Sequence, residues 1–220
     1  MEFLLLLEIF SVVTGLGFII LMIYQKIWAW PIGIISSLSS IYLFFCSKLY
    51  AESILYFYYV LIGIYGWYIW QKNRDRDFTV QIKKSWYFIT AISVGVIFSV
   101  ILGFVLNKAT DSPRPFADAT STIFSLIASY MEAHKVLSSW LFWIAINLFS
   151  IWLYLDRGLK IYSGLMVIFF LFSVAGYIQW RHSYQNSQAS LSPKSSQWES
   201  SLLVLRAQVS LPWPLPWVQN

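Results

Sequence analysis

The polarity of the chain alternates in long blocks. Apolar runs of about the length a helix needs to cross hydrocarbon, roughly 20 residues, are separated by short polar connections. Seven such runs are read, over residues 3–24, 27–46, 50–70, 86–106, 117–133, 138–156 and 159–180. The fifth is short and rich in Ser and Thr. The first holds Glu8 and lacks a basic leader, so it is read as a true span and not a cleaved signal. The pattern predicts an all-α integral membrane protein with seven transmembrane helices. After Trp180 the character changes. Residues 183–220, rich in Ser and Gln and ending LPWPLPWVQN, lack the apolar periodicity of a core and are expected to form a flexible tail.

Composition agrees. Of the 220 residues 58% are hydrophobic and 11% charged, with a mean hydropathy of +0.63; a water-soluble domain of this length does not accommodate that balance. The net charge of +5 does not imply a nucleic-acid partner, because the basic residues sit in connections where they set topology. Lys48, Lys108, Arg114, Arg157 and Lys160 fall on the side of the N-terminus. The opposite side carries Lys26, Lys72, Arg74, Arg76, Lys83, Lys84, Lys135, Arg181, Lys194 and Arg206. By the positive-inside rule the N-terminus is outside, and the C-terminus is cytoplasmic. The single Cys46 excludes an intramolecular disulfide. His134 and His182 lie at span ends without neighbours at ligand spacing, and no nucleophile elbow, zinc-protease helix or phosphate loop occurs. Neither an enzyme nor a cofactor is expected.

The chain repeats itself. Trp28 is matched to Trp140, Tyr42 to Tyr154, Lys48 to Lys160 and Gly66–Trp70 to Gly176–Trp180; upstream, Thr14, Phe18 and Tyr24 correspond to Thr120, Phe124 and Tyr130. Two three-span units therefore flank one linker span, a 3+1+3 plan with both units in the same orientation. The divisions are 1–71 for the first bundle, 72–106 for the loop and linker helix, 107–182 for the second bundle and 183–220 for the tail. A site is expected where the bundles meet near mid-bilayer.

Polar residues inside the spans are the candidates for that site, since an unpaired amide or hydroxyl in hydrocarbon is costly. At helical pitch Trp143, Asn147 and Ser150 form one stripe of the sixth span. Ser121, Thr122, Ser125 and Ser129 give the fifth a run of hydroxyls, and Ser36 lies in a small-residue strip with Gly33 and Ser40. The third span is crowded with Tyr56, Tyr58, Tyr59, Tyr65 and Tyr68, more phenols than an interfacial belt requires. These residues line a ligand path or act as helix–helix glue, and both readings stand at this point. Glu8, near the outer end, is read as water-reached.

The segments WAWPIGIISS, KLYAES…YYVLIGIYGWY, DATST and WIAIN…GL…GYIQW resemble the PnuC family of bacterial vitamin transporters, over roughly residues 8–182. The resemblance implies a fold related to the SWEET transporters, a homotrimer with one pore per subunit, and facilitated uptake of an unphosphorylated vitamin, usually nicotinamide riboside, at the inner membrane. Cytoplasmic phosphorylation then traps the substrate. The family's Trp-x-x-x-Asn/Asp element falls on Trp143 and Asn147, and its paired hydroxyls on Ser121 and Thr122. This chain departs from the pattern at Tyr56 and Ser129, where many relatives carry Gln, and at Ser36, where Asn is common. Some relatives carry thiamine or riboflavin, which stand as alternative substrates; a non-transporting receptor or assembly subunit is the competing class.

Overall fold

The structure is a computed structural model. It describes the backbone over residues 2–46, 50–74, 78–110, 112–156, 158 and 160–209, and side chains over the same ranges except 50–52, 161–162 and 191–209. Seven helices occur among the described residues: α1 (Glu2–Ile23), α2 (Ala29–Cys46), α3 (Tyr50–Lys72), α4 (Ser85–Ala109), α5 (Pro115–Ala133), α6 (Ser139–Asp156) and α7 (Lys160–Val209). Six are long and apolar enough to cross a membrane. The remaining helix is α5, whose polarity has a structural reason: Ser125, Ser129 and Glu132 are buried, and α3, α4 and α6 pack around it. Its polar face meets protein, not lipid.

The end of α7 differs from expectation. The helix runs on to Val209, through most of the stretch read from sequence as an irregular tail. A polar segment has no core to join, but extending an existing helix avoids the cost of nucleating one. Ser187 and Ser190 donate their hydroxyls to the carbonyls of Ser183 and Ser187, at 3.0 and 2.8 Å. Residues 210–220, including the Pro- and Trp-rich end, lie outside the described residues.

Within each half the helices pack in chain order, α1 on α2 on α3 and α5 on α6 on α7; α4 leans on α5, and contacts of α3 with α5 and α1 with α7 join the halves. This is the pattern of two three-helix units flanking a linker helix. Equivalent features recur at one constant interval, the distance from Trp30 to Trp140. Both α1 and α5 end in a turn whose left-handed residue is not glycine, Gln25 (φ 54°) and Lys135 (φ 51°). Each turn closes with the same pair of bonds, Lys26 N–H to Leu21 O and Gln25 N–H to Met22 O in one half, Val136 N–H to Met131 O and Lys135 N–H to Glu132 O in the other. These are the contacts of a Schellman cap, which satisfies carbonyls the helix end leaves free.

The aromatic frame repeats at the same interval. Trp30 meets Trp70 edge to face at 5.6 Å, and Trp140 meets Trp180 at 5.5 Å. Gly66 and Gly176 allow this, because a Cβ on either would overlap the Trp30 or Trp140 ring. Ser53 donates to Ile41 O, and Ser163 to Ile151 O. The sequence-based register is therefore corrected in its upstream part: Trp30, not Trp28, is the counterpart of Trp140. Trp28 is 68% exposed, whereas Trp30 is 2% exposed. Likewise Tyr130 corresponds to Ile20, and Tyr154 to Phe44.

Two reciprocal bonds tie the halves together. The Trp70 indole donates to Ala133 O and the Trp180 indole to Met22 O, each at 3.0 Å. The third helix of each half thus holds the end of the first helix of the other. On the same end, Gln81 pairs with the α5–α6 turn through Gln81 N–H to Lys135 O and Leu137 N–H to Gln81 O, both 2.9 Å. Lys135 extends under this strap, its ammonium 3.0 Å from Phe78 O and 4.5 Å from the centre of the Trp70 ring. Burial pushes that ammonium down to about 8. Beside it the His134 imidazole is held below its ordinary value, by burial first and then by the charge of Lys83.

Candidate functional site

Where α1, α2 and α3 face α5, α6 and α7, a cavity of about 250 Å³ opens between the halves. The first half contributes mostly small or apolar surface: Gly15, Phe18 and Ile19 from α1, Trp30, Gly33, Ser36 and Ser37 from α2, and Tyr56, Tyr59 and Gly63 from α3. The second half contributes Ser129 and Glu132 from α5, Trp140, Trp143 and Asn147 from α6, and Phe169 and Ser173 from α7.

Seven of the residues singled out from sequence meet on this wall: Trp143, Asn147, Gly33, Ser36, Tyr56, Tyr59 and Ser129. Ser121, Thr122 and Ser150 do not line it. Ser121 donates to Asp118 O at 3.0 Å, near the other end of α5. Ser150 is buried one turn beyond Asn147. Glu8 is exposed, away from the cavity.

The hydroxyls and the amide are partly committed. Ser36 donates across helices to Ser11 O at 2.9 Å, and Ser129 donates back to Ser125 O at 2.6 Å; each oxygen keeps acceptor capacity. Asn147 Nδ2 donates to Ser173 Oγ at 3.0 Å, and Ser173 donates onward to Phe169 O at 2.8 Å. So Asn147 bonds α6 to α7 while standing in the cavity wall, which merges the two roles that sequence alone left open. A carboxamide has a second N–H and an acceptor oxygen for other partners. Trp143 is half-buried, and its indole lies within hydrogen-bond reach of the Glu132 carboxyl. The buried indole N–H groups of Trp30 and Trp140 have no hydrogen-bond partner among the described residues. An unmet buried donor costs about 1–3 kcal/mol.

Glu132 and Ser173 went unrecognised in the sequence. The polar stripe Ser125, Ser129 continues at helical spacing to Glu132, and that was the available signal. Adjacent His134 and Lys135 made the acid look like part of a solvated span end. Ser173, a lone hydroxyl in an apolar run, gives no such signal, because its importance comes from Asn147 on another helix.

In sum the site offers indole and phenol faces, a carboxamide, hydroxyls and one carboxyl, inside a fold divided into two similar halves. The fold has a solved counterpart. A crystal structure of the vitamin B3 transporter PnuC matches with a TM-score of 0.66 at 21% identity, over 82% of each chain. Among curated proteins, the nicotinamide riboside transporter PnuC of Escherichia coli K12 is 23% identical over 204 residues, 80% of this chain and 85% of its own length. PnuC of Neisseria mucosa is 27% identical over 198 residues, 80% and 73% of the two chains. The riboflavin/roseoflavin transporter RibM of Streptomyces davaonensis is 23% identical over 175 residues, 76% and 81%. The family model described as nicotinamide mononucleotide transporter matches residues 5–182, and the chain accordingly belongs to that family of multi-pass membrane transporters and is not an enzyme.

Proposed function

We propose that the chain carries a B-type vitamin, nicotinamide riboside first among the candidates, across the bacterial inner membrane by facilitated diffusion. The observation that carries this reading is the meeting of Trp143 and Asn147 on the wall of a cavity between two similar halves. Trp143 stacks on the ring of the vitamin. Asn147 bonds its polar edge, and Ser36, Tyr56 and Ser129 serve its hydroxyls. Buried donors of this kind reject analogues that lack the matching group far better than an apolar pocket does. Ser121, Thr122 and Ser150, outside the cavity, belong in this reading to the path leading to it.

The cavity size bears on the choice of vitamin. About 250 Å³ falls just below the usual small-molecule range of about 300–1,000 Å³, which suits the smaller nicotinamide riboside or thiamine better than riboflavin, with its fused three-ring system and ribityl chain. Thiamine is the second reading, favoured by Tyr56, a phenol face in place of the amide common among relatives.

Movement follows from the two halves. Rocking of one three-helix unit against the other opens the cavity to each side in turn, with the N-terminus outside, the C-terminus cytoplasmic, and three copies assembled with one pore each. Intracellular phosphorylation then retains the substrate. The test is thermal stability of the purified protein with nicotinamide riboside, thiamine and riboflavin added separately, because a ligand that binds only the folded state raises Tm by mass action. A shift with one vitamin, lost in Trp143→Ala, is the expected result; no shift with any of the three favours a non-transporting role.

A further inference from the structure

Glu132 is 4% exposed and stands in the cavity wall. Its counterpart in the first half, at the constant interval, is Met22, so the acid is not demanded by the repeated frame. The cations nearest in sequence are engaged elsewhere: Lys135 with Phe78 O and the Trp70 ring, and His134 with the Tyr65 hydroxyl at 2.9 Å. Among the described residues the ion pair present is Arg114–Asp156, near the opposite ends of α5 and α6. Among the described residues no lysine, arginine or histidine lines the cavity.

A carboxyl buried in the last turn of a helix is costly to ionise unless it is paired, and a partner of opposite charge is what holds such a group ionised. The cavity provides space beside the acid. The walls around that space are aromatic faces, Trp143, Tyr56 and Tyr59, which attract a flat cation through their ring quadrupoles. We propose that Glu132 pairs with a positive charge carried on the aromatic ring of the transported vitamin, so the substrate class is N-alkylated aromatic cations. The inference rests on the vitamin-transport reading above. Nicotinamide riboside, a pyridinium, and thiamine, a thiazolium, belong to the class; riboflavin is neutral and does not.

The test compares, by titration calorimetry on the purified full-length chain, nicotinamide riboside with its reduced, uncharged dihydropyridine form, alongside thiamine and riboflavin. A charge-assisted contact predicts that wild type prefers the charged riboside over the neutral form by about 10- to 100-fold. In Glu132→Gln the ratio should fall toward one, and in Glu132→Asp part of it should return. Because each ratio is taken within one protein, it does not depend on how much of a variant folds, and the wild-type ratio needs no variant. A wild-type ratio near one, or a ratio that survives in Glu132→Gln, overturns the inference. If thiamine binds and the riboside does not, loss of thiamine affinity in Glu132→Gln supports the pairing and retention overturns it. Binding of riboflavin alone overturns the charge pairing but leaves vitamin transport standing. Binding of none overturns both.

Discussion

The two halves of the molecule share a frame and differ in what they show the cavity. Each half has the same Schellman-capped turn, the same Trp against Gly, and the same edge-to-face Trp pair. Yet at equivalent positions the first half has Gly33 and Ser37 where the second has Trp143 and Asn147, and Ile19 and Met22 where the second has Ser129 and Glu132. The frame lies where the halves hold each other and has little freedom to change. The cavity face differs, and there the carboxamide and the carboxyl stand on one side. The first half thus lines the cavity with small residues, hydroxyls and phenols, while the carboxamide and the carboxyl come from the second, the half expected to read the substrate.

The largest effect should come from the reading half. Trp143→Ala removes a stacking face and the indole beside Glu132; from the worth of ring stacking, about 1–3 kcal/mol, vitamin uptake should fall by about 10- to 100-fold, while Ser37→Ala on the opposite wall, at the position equivalent to Asn147, alters it far less. Initial uptake rates in whole cells at matched expression check this.

The frame predicts the opposite behaviour, equal effects in the two halves. Gly66→Ala and Gly176→Ala each push a methyl into a buried indole, and overpacking of this kind costs about 1–3 kcal/mol. Both should lower Tm by similar amounts with no ligand present. A large loss in one variant only would break the claimed equivalence.

Asn147 belongs to both regimes. Asn147→Ala should lower the Tm of the empty protein by removing its bond to Ser173, worth about 0.6–1.7 kcal/mol for hydrogen bonds between membrane helices, and should also abolish ligand-induced stabilisation. Ser173→Ala should produce the first effect while retaining most of the second. If the two variants behave alike, Asn147 is glue alone.

The smallest effect concerns the strap beneath the cavity. Burial holds the Lys135 ammonium down to about 8, below the ordinary value for lysine of about 10.4. Between these values the unfolded chain binds more protons than the folded one, so stability gained from this residue rises with pH across that window. Wild type should therefore gain Tm relative to Lys135→Met between about pH 8 and pH 10. A constant difference between the two proteins would contradict the burial of the ammonium.

Much of this architecture was legible in the chain because the bilayer imposes a length on each apolar run. All seven expected spans coincide with helices, and the Trp143–Asn147 stripe lies on a cavity wall because four residues make about one helical turn. What escaped depended on partners distant in sequence. Trp28 and Trp30 stand in one WAW motif, and only the space left by Gly66 shows which indole is buried. Glu132 precedes His134 and Lys135 at a helix end, and nothing local reveals that Gln81 straps this turn down or that the acid is buried. Ser121 and Thr122 look equivalent to Ser129, but the cavity meets α5 only near its last turns. The polarity of residues 183–209 does not distinguish a coil from a helix extended from α7.

The central claim is that the cavity between the halves is the passage of a vitamin moving down its own gradient. Its most direct test is entry of radiolabelled nicotinamide riboside, with thiamine in parallel, into liposomes holding the purified protein. Uptake that levels at the external concentration, is unchanged by a proton ionophore and is lost in Trp143→Ala is the predicted result. Absence of uptake for both vitamins, or uptake abolished by the ionophore, would contradict it.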